Sequence, residues 1–241
     1  MHEYRVTMEP LFYFTALLCC YSYFLYPLIL RLVPRREPAA TEFRELPRLT
    51  MIITVHNEAA RIRSKLHNTL EIDYPEDCLE VIVASDGSTD ATEDIVAEFA
   101  DRGVRLVRAD ARKGKEYAQL CAIREASGEI LVFSDVATQI PVDALQHLAA
   151  GFSDERVGAV SSEDRFISQD GSVAGEGAYV RYEMWLRRLE SDRAGLVGLS
   201  GSFFAARRQV CADWDISSPS DFNTALNCAR QGLVAISSPD M

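Results

Sequence analysis

The stretch LEVIVASDGSTDATEDIVAEFADRG, residues 79–103, decides the fold. Its first part, LEVIVASDG (79–87), opens with an apolar, β-branched run that reads as a buried strand. The run breaks at Ser-Asp-Gly. The remainder, STDATEDIVAEFADRG, reads as a helix, with Ser88 or Asp90 as its N-cap and Gly103 at its end. A strand that gives way to a helix across a polar break is half of a strand–helix–strand unit.

The same alternation continues on both sides. Upstream, LTMIITV (49–55) reads as a strand, and NEAARIRSKLHNTL (57–70) as a helix with Ile62, Leu66 and Leu70 at helical spacing. Downstream come the strand VRLVRA (104–109), the helix KGKEYAQLCAIREASG (113–128) and the strand EILVFSD (129–135). This pitch predicts an α/β fold, a mostly parallel sheet with helices on both faces. In such sheets a ligand sits outside the carboxyl ends of the strands. That rule selects three polar breaks, TVHNEA (54–59), SDGSTD (85–90) and FSDVAT (133–138). On successive strands they converge on one crevice.

Composition limits what the crevice can bind. The 241 residues are 48% hydrophobic and 25% charged, as expected of a folded chain, and the formal net charge is −11. That balance argues against nucleic acid as a partner. An anionic substrate needs local help from lysines, arginines, a metal or helix N-termini. The cysteines, at positions 19, 20, 78, 121, 211 and 228, form no CxxC spacing. Neither a zinc site nor a disulfide framework is implied, and reduced cytosolic thiols are expected.

The N-terminus reads as a membrane anchor. LFYFTALLCCYSYFLYPLIL (11–30) contains no charge. As a helix it rises about 30 Å, the thickness of the bilayer hydrocarbon. It is too long for the apolar core of a signal peptide, and no A-x-A site follows. Arg31, Arg35, Arg36, Arg44 and Arg48 follow it, whereas Arg5 and His2 precede it among Glu3 and Glu9. The positive side stays in the cytoplasm, so a single-pass protein of the inner membrane with a cytosolic domain is expected. The expected organisation is an anchor over 1–33, a linker over 34–47 and a domain over 48–241. That domain divides into a nucleotide-binding half, 48–140, and an acceptor-side half, 141–241.

Within the breaks, Asp86 is placed to accept hydrogen bonds from a base or ribose, and Gly87 lets a ligand approach the backbone. Asp-Gly-Ser is equally good turn chemistry. His56 and Glu58 fit a ligand site, and Asn57 and Glu58 also fit a helix start. Arg112, Lys113 and Lys115 cluster at a helix N-terminus, where the dipole disfavours cations. A bound diphosphate would resolve that conflict, and a solvated basic turn is the other reading. YVRYEMWLRRLESDR (179–193) carries an apolar stripe, Tyr182, Trp185, Leu186 and Leu189, beside Arg181, Arg187, Arg188 and Arg193. It fits a core helix or a helix lying on the anionic inner leaflet.

Taken in order, these segments resemble the inverting family 2 glycosyltransferases of GT-A fold. TVHNEA matches the opening nucleotide motif, SDGSTD the second, Gly114–Lys115 a third, and VFSDVAT the aspartate motif. GEGAYVRYEMWLRRLES and GLSGSFFAARR look like acceptor-side segments, and SPSDFNTALNCARQGLVAISSPD like the segment of the catalytic base. YPLIL looks like the membrane segment of anchored members.

The resemblance implies a GT-A, Rossmann-like domain behind one transmembrane helix, and transfer of a sugar from a nucleotide-diphosphate donor. The acceptor is implied to be a glycan or lipid-linked hydroxyl, as in making a surface polysaccharide or glycolipid. Thr54, His56, Glu58, Asp86, Lys115 and Asp135 are implied around the nucleotide, with Asp135 as a ligand to Mg²⁺ or Mn²⁺ and Asp221 as general base.

The sequence departs from the pattern in three places. The usual D-x-D or D-x-N reads Asp135-Val136-Ala137, and alanine cannot ligate a cation. Metal affinity is expected to fall, and either donor binding relies more on Lys115 and Arg112 or catalysis is weak. Ser220 stands before Asp221 where the family has an acid, and the acceptor half is expected to be incomplete at Met241. These departures keep a second reading open, a truncated or degenerate copy that binds a nucleotide sugar or a partner protein without turnover. A nucleotidyltransferase of related fold would carry a G-x-G-x-R signature that TVHNEA lacks.

Overall fold

The computed structural model describes residues 3–37, 46–163, 177–239 and 241. In chain order these begin with α1 (Glu3–Cys20), a π-helical turn (Tyr21–Leu25) and α2 (Tyr26–Leu32). Then follow β1 (Leu49–Val55), α3 (Ile62–Leu70), β2 (Leu79–Ser85), α4 (Thr92–Ala97) and β3 (Val104–Arg108). The middle of the chain gives α5 (Lys115–Glu125), β4 (Ile130–Asp135), α6 (Ala144–Gly151) and β5 (Val157–Ser162). The chain continues as α7 (Ala178–Arg193), β6 (Phe203–Arg207), α8 (Ser220–Arg230) and β7 (Val234–Ser238).

The chain forms two compact units. The first joins the N-terminal helices to α7. Within it, Glu9–Leu32 is a helical stretch of 24 residues, long and apolar enough by length and composition to cross a membrane. Helix α7 grips the end of this stretch. The Tyr26 hydroxyl donates to Glu190 at 2.7 Å, and Tyr182 donates to the carbonyl of Tyr23 at 2.8 Å. Arg193 donates to the carbonyls of Arg31 and Val33, Arg35 pairs with Asp192, and the Arg31 guanidinium lies over the Trp185 ring. Thus three of the arginines expected to mark the cytoplasmic flank (Arg31, Arg35 and the backbone of Arg36) are tied to α7 or the rings it carries. Most of the expected linker and Arg44 lie outside the described residues, as do Gly175 and Glu176 of the acceptor-side segment.

The second unit is a seven-stranded sheet in the order β3-β2-β1-β4-β6-β5-β7. Strands β3, β2, β1 and β4 run parallel, and β7 runs parallel to β5. Strand β6 runs antiparallel to both β4 and β5. The expected mostly parallel sheet is therefore present, with one reversed strand. An apolar run such as FFAAR reports burial, but nothing in it reports direction.

Strand alternation feeds two cores. Leu49, Met51, Ile53 and Val55 of β1 pack with Ile62 and Leu66 of α3 and Leu145 and Leu148 of α6. Ile52, on the opposite face, packs with Ala118 and Ala122 of α5, Phe133, Phe204 and Trp214. The Phe133 ring stacks on Phe204 at 4.8 Å and on Trp214 at 5.0 Å. Both cores hold helices against the sheet, as the alternation of segments required. Strand order turns back at β1: the chain builds β2 and β3 on one side, then returns to place β4 on the other. The carboxyl ends of β1, β2 and β4 therefore meet beside a topological switch point, the position where such sheets bind ligands.

Candidate active site at the strand ends

In register across the sheet, Thr54 of β1 stands between Ala84 of β2 and Asp135 of β4. Three of the expected segments therefore converge. The Thr54 hydroxyl is buried and has no hydrogen-bond partner among the described residues.

The breaks after β1 and β2 are stitched together. His56 Nδ1 lies 2.8 Å from the carbonyl of Asp86. Asn57 takes the left-handed conformation, with φ 54°, and its side-chain oxygen accepts the Thr89 N–H at 2.8 Å. The Glu58 N–H donates to Thr92 Oγ1, and the Ala59 N–H to Asp90. Glu58 itself forms a two-pronged ion pair with Arg61, both contacts at 2.7 Å. Its carbonyl accepts the N–H groups of Arg61 and Ile62, which starts α3. The helix expected over 57–70 begins later, as α3 at Ile62, and Glu58 stands in the turn ahead of it. The helix expected over 88–103 is shorter: α4 covers Thr92–Ala97, and a 3₁₀ turn over Ala100–Arg102 ends at Gly103. Asp90 accepts the Thr92 N–H ahead of the helix, and its many hydrogen bonds, foremost from the Thr92 hydroxyl, keep its pKa below the usual carboxylate value.

Asp86 is 5% exposed. One carboxylate oxygen accepts the Lys113 N–H at 2.9 Å and the other the Gly114 N–H at 3.0 Å. A carboxylate taken from water needs such donors. Asp86 therefore fixes the turn that leads into α5. Lys115 is the first residue of that helix. Its ammonium lies 2.6 Å from Asp135 Oδ1 and donates to the carbonyl of Gly201 at 3.0 Å. Asp135 is held in turn through its N–H, which donates to the carbonyl of Ser202 at 2.9 Å. Gly201 also borders Asp221, in the first turn of α8: a Cβ at position 201 would lie 3.3 Å from Asp221 Oδ2. The structure thus links Asp135, Lys115, Gly201 and Asp221 in one continuous strip. Arg112 is exposed beside Gly87, and Lys113 turns away over the Tyr117 ring.

Sequence reasoning missed Lys65. It is 3% exposed, on α3, and its ammonium donates to Ser134 Oγ at 2.7 Å and to the carbonyl of Thr138 at 2.6 Å. Burial pushes its pKa down to about 7, against the attraction of Asp135, which raises it. Asn68, one turn on, exchanges hydrogen bonds with both backbone groups of Ile140. Together they clamp the turn that carries Asp135. The signal was present in the sequence: Ile62, Lys65, Leu66 and Thr69 form a buried stripe at helical spacing, with a lysine in an apolar position.

The side chains near Asp135 do not fit a divalent cation. Ala137 offers no donor, and no group of three or more His, Cys, Asp or Glu side chains converges among the described residues. Asp135 is already paired with an ammonium.

Comparison with known proteins gives the family and the fold. The sequence model of the family described as "Glycosyl transferase family 2" matches residues 50–214. The chain is 34% identical over 131 residues to the "Probable glycosyltransferase YdaM" of Bacillus subtilis, covering 52% of this chain and 31% of that protein. It is 28% identical over 179 residues to the beta-monoglucosyldiacylglycerol synthase of Nostoc sp., covering 70% and 38%. The chain thus spans about a third of the length of these relatives. Among solved structures, the mannosyltransferase PcManGT from Pyrobaculum calidifontis, in complex with GDP-Man and Mn²⁺, superposes with a TM-score of 0.74 at 30% identity. That match covers 93% of this chain and 66% of the other. The expected GT-A fold is therefore present.

Proposed function

The chain belongs to glycosyl transferase family 2, and we propose that it moves a sugar from a nucleotide-diphosphate donor to a hydroxyl acceptor, with Asp221 as the general base. The observation that carries this reading is the strip from Asp135 through Lys115 and Gly201 to Asp221. It sets a cation for the diphosphate next to a carboxylate for the acceptor.

In this reading residues 48–140 hold the nucleotide and 141–241 contribute the acceptor side. Thr54, His56, Glu58 and Asp86 shape the floor and wall of the nucleotide site. Asp86 and Glu58 act by fixing loops, since their carboxylates are taken up by Lys113, Gly114 and Arg61. The Thr54 hydroxyl lies buried beneath that floor, between β2 and β4. Asp221 takes the proton of the acceptor hydroxyl as its oxygen forms a bond to the anomeric carbon. The bond from that carbon to the diphosphate oxygen breaks, and the nucleoside diphosphate leaves with both electrons of that bond. Attack from the far face inverts the anomeric centre. Lys115 stabilises the negative charge that gathers on the leaving group. The acceptor is proposed to be a glycan or lipid-linked hydroxyl at the cytosolic face of the inner membrane, with Glu9–Leu32 as the anchor.

The test is release of UDP or GDP from a panel of their sugars by the full chain in membranes, with lipid and glycan extracts as acceptors. Wild type is expected to turn over one donor, and Asp221→Asn to lose about 10²- to 10⁴-fold in rate with donor affinity retained. Tight binding without turnover under every acceptor condition would instead support the second reading, which Ala137 favours: a copy that binds a nucleotide sugar and does not react.

A further inference from the structure

We propose that the crevice holds the donor diphosphate without a divalent cation, the Lys115 ammonium supplying the positive charge that neutralises it. This rests on the donor-binding reading above and names the charge that neutralises the donor.

Three observations carry it. First, the second carboxylate position of the aspartate motif is Ala137, which is exposed and has no ligating atom. Second, Asp135 Oδ1 is engaged at 2.6 Å by the Lys115 ammonium, and that ammonium is steered there by a second hydrogen bond to the carbonyl of Gly201. A free lysine on a helix N-terminus would extend into water, away from the positive dipole. Here it is folded back over the strand ends, half-buried and aimed across the crevice. Third, Lys65 stands beneath the same turn, bound to Ser134 and Thr138, with the attraction of Asp135 acting on it.

The charge count decides between the two kinds of guest. At the aspartate motif itself the resident charges are one carboxylate, Asp135, and the ammonium of Lys115, with the amine of Lys65 beneath the same turn. The carboxylate's charge is spent within the protein. A dication entering beside Asp135 would face the Lys115 ammonium within a few ångströms, which repels it. A diphosphate meets the opposite field. It can take Lys115 from Asp135, or share it, and gains the N–H groups at the start of α5 as well. Asp135 then acts as a positioning residue, holding the ammonium at the strand ends until the donor arrives. No bond is made or broken in this step.

The experiment uses the full chain in detergent micelles and titrates UDP and GDP calorimetrically, once in excess EDTA and once in excess Mn²⁺. Paramagnetic resonance of Mn²⁺ is read with and without protein. The expected result is one nucleotide whose Kd in EDTA is within about threefold of that in Mn²⁺, and no protein-bound Mn²⁺ signal. Lys115→Met is expected to weaken binding in EDTA by about tenfold or more, and Lys115→Arg by less. Ala137→Asp, which restores a second carboxylate, is expected to create an Mn²⁺ signal that wild type lacks. A wild-type affinity that rises about tenfold or more with Mn²⁺ would overturn the proposal while leaving the donor site in place. Unchanged binding by Lys115→Met in EDTA would also overturn it. A folded chain that binds neither nucleotide in either buffer would remove the donor reading and this inference together.

Discussion

Lys65 shows best what single residues contribute here. A lysine 3% exposed is costly, and folding lowers its pKa from an ordinary 10.5 to about 7 by desolvation. Between those values the folded chain holds fewer protons than the unfolded one. Stability should therefore rise with pH across that window, by about 1.4 kcal/mol per unit and at most about 5 kcal/mol in all. Below about pH 7 the full cost of burying the charge remains. Lys65→Met removes the titration, so its thermal midpoint should gain less than that of wild type between pH 7 and pH 10. Equal gains in the two proteins would show that Lys65 does not titrate in the fold. The same residue marks a limit of sequence reading. Asp86, Lys115, Asp135 and Asp221 were legible because they sit at strand ends or helix starts, where polar residues break an apolar pattern. Lys65 lies inside a helical pattern: its apolar position in the stripe marks burial, and its contacts with Ser134 and Thr138 add what the pattern lacks, the turn it holds. The partners of Asp86 were hidden too, since backbone N–H groups carry no mark in the sequence.

At the level of elements, the four strands read from the sequence came out almost to the residue, β5, β6 and β7 were not read as strands, and the helices came out less well. Leu49–Val55 came out as expected because a buried strand needs only an apolar, β-branched run with clear punctuation. Helix α4 came out short because the loop before it is occupied elsewhere: Asn57, Glu58 and Ala59 draw on Ser88, Thr89, Asp90 and Thr92. The direction of β6 was illegible, since it depends on which neighbours the strand meets. One junction makes a sharp test of element packing. Gly128, just ahead of β4, lies so close to β1 that a Cβ would stand 2.5 Å from the Thr50 nitrogen. Its N–H donates to Thr50 Oγ1 at 2.8 Å, and Thr50 in turn donates to Glu80. Gly128→Ala must push β1 and β4 apart at their amino ends, at a cost of about 1–3 kcal/mol. A unit of this size should lose roughly 2–4 °C for each kcal/mol. The donor crevice lies at the other end of these strands, so nucleotide affinity should stay within about twofold of wild type. An unchanged midpoint would mean that the junction is looser than the structure shows.

Across the whole chain, the sequence separates an apolar N-terminal stretch from an alternating α/β part, and the structure keeps that separation while adding α7 to the N-terminal unit. That addition was out of reach of local pattern. Helix α7 carries Tyr182, Trp185 and a group of arginines, which fit a core helix and a membrane-surface helix alike, and its contacts with Tyr23, Tyr26 and Arg31 decide where it packs. In the sheet, we propose, three polar breaks at the ends of β1, β2 and β4, with the start of α5, form one nucleotide-sugar site. The measurement that tests it most directly is amide hydrogen exchange by mass spectrometry on the full chain in micelles, with and without saturating UDP or GDP. Slowed exchange is expected at residues 54–59, 85–90, 112–118 and 133–138 together, with little change in β3 or β7. Protection confined to another part of the chain, or none while the nucleotide binds, would contradict it.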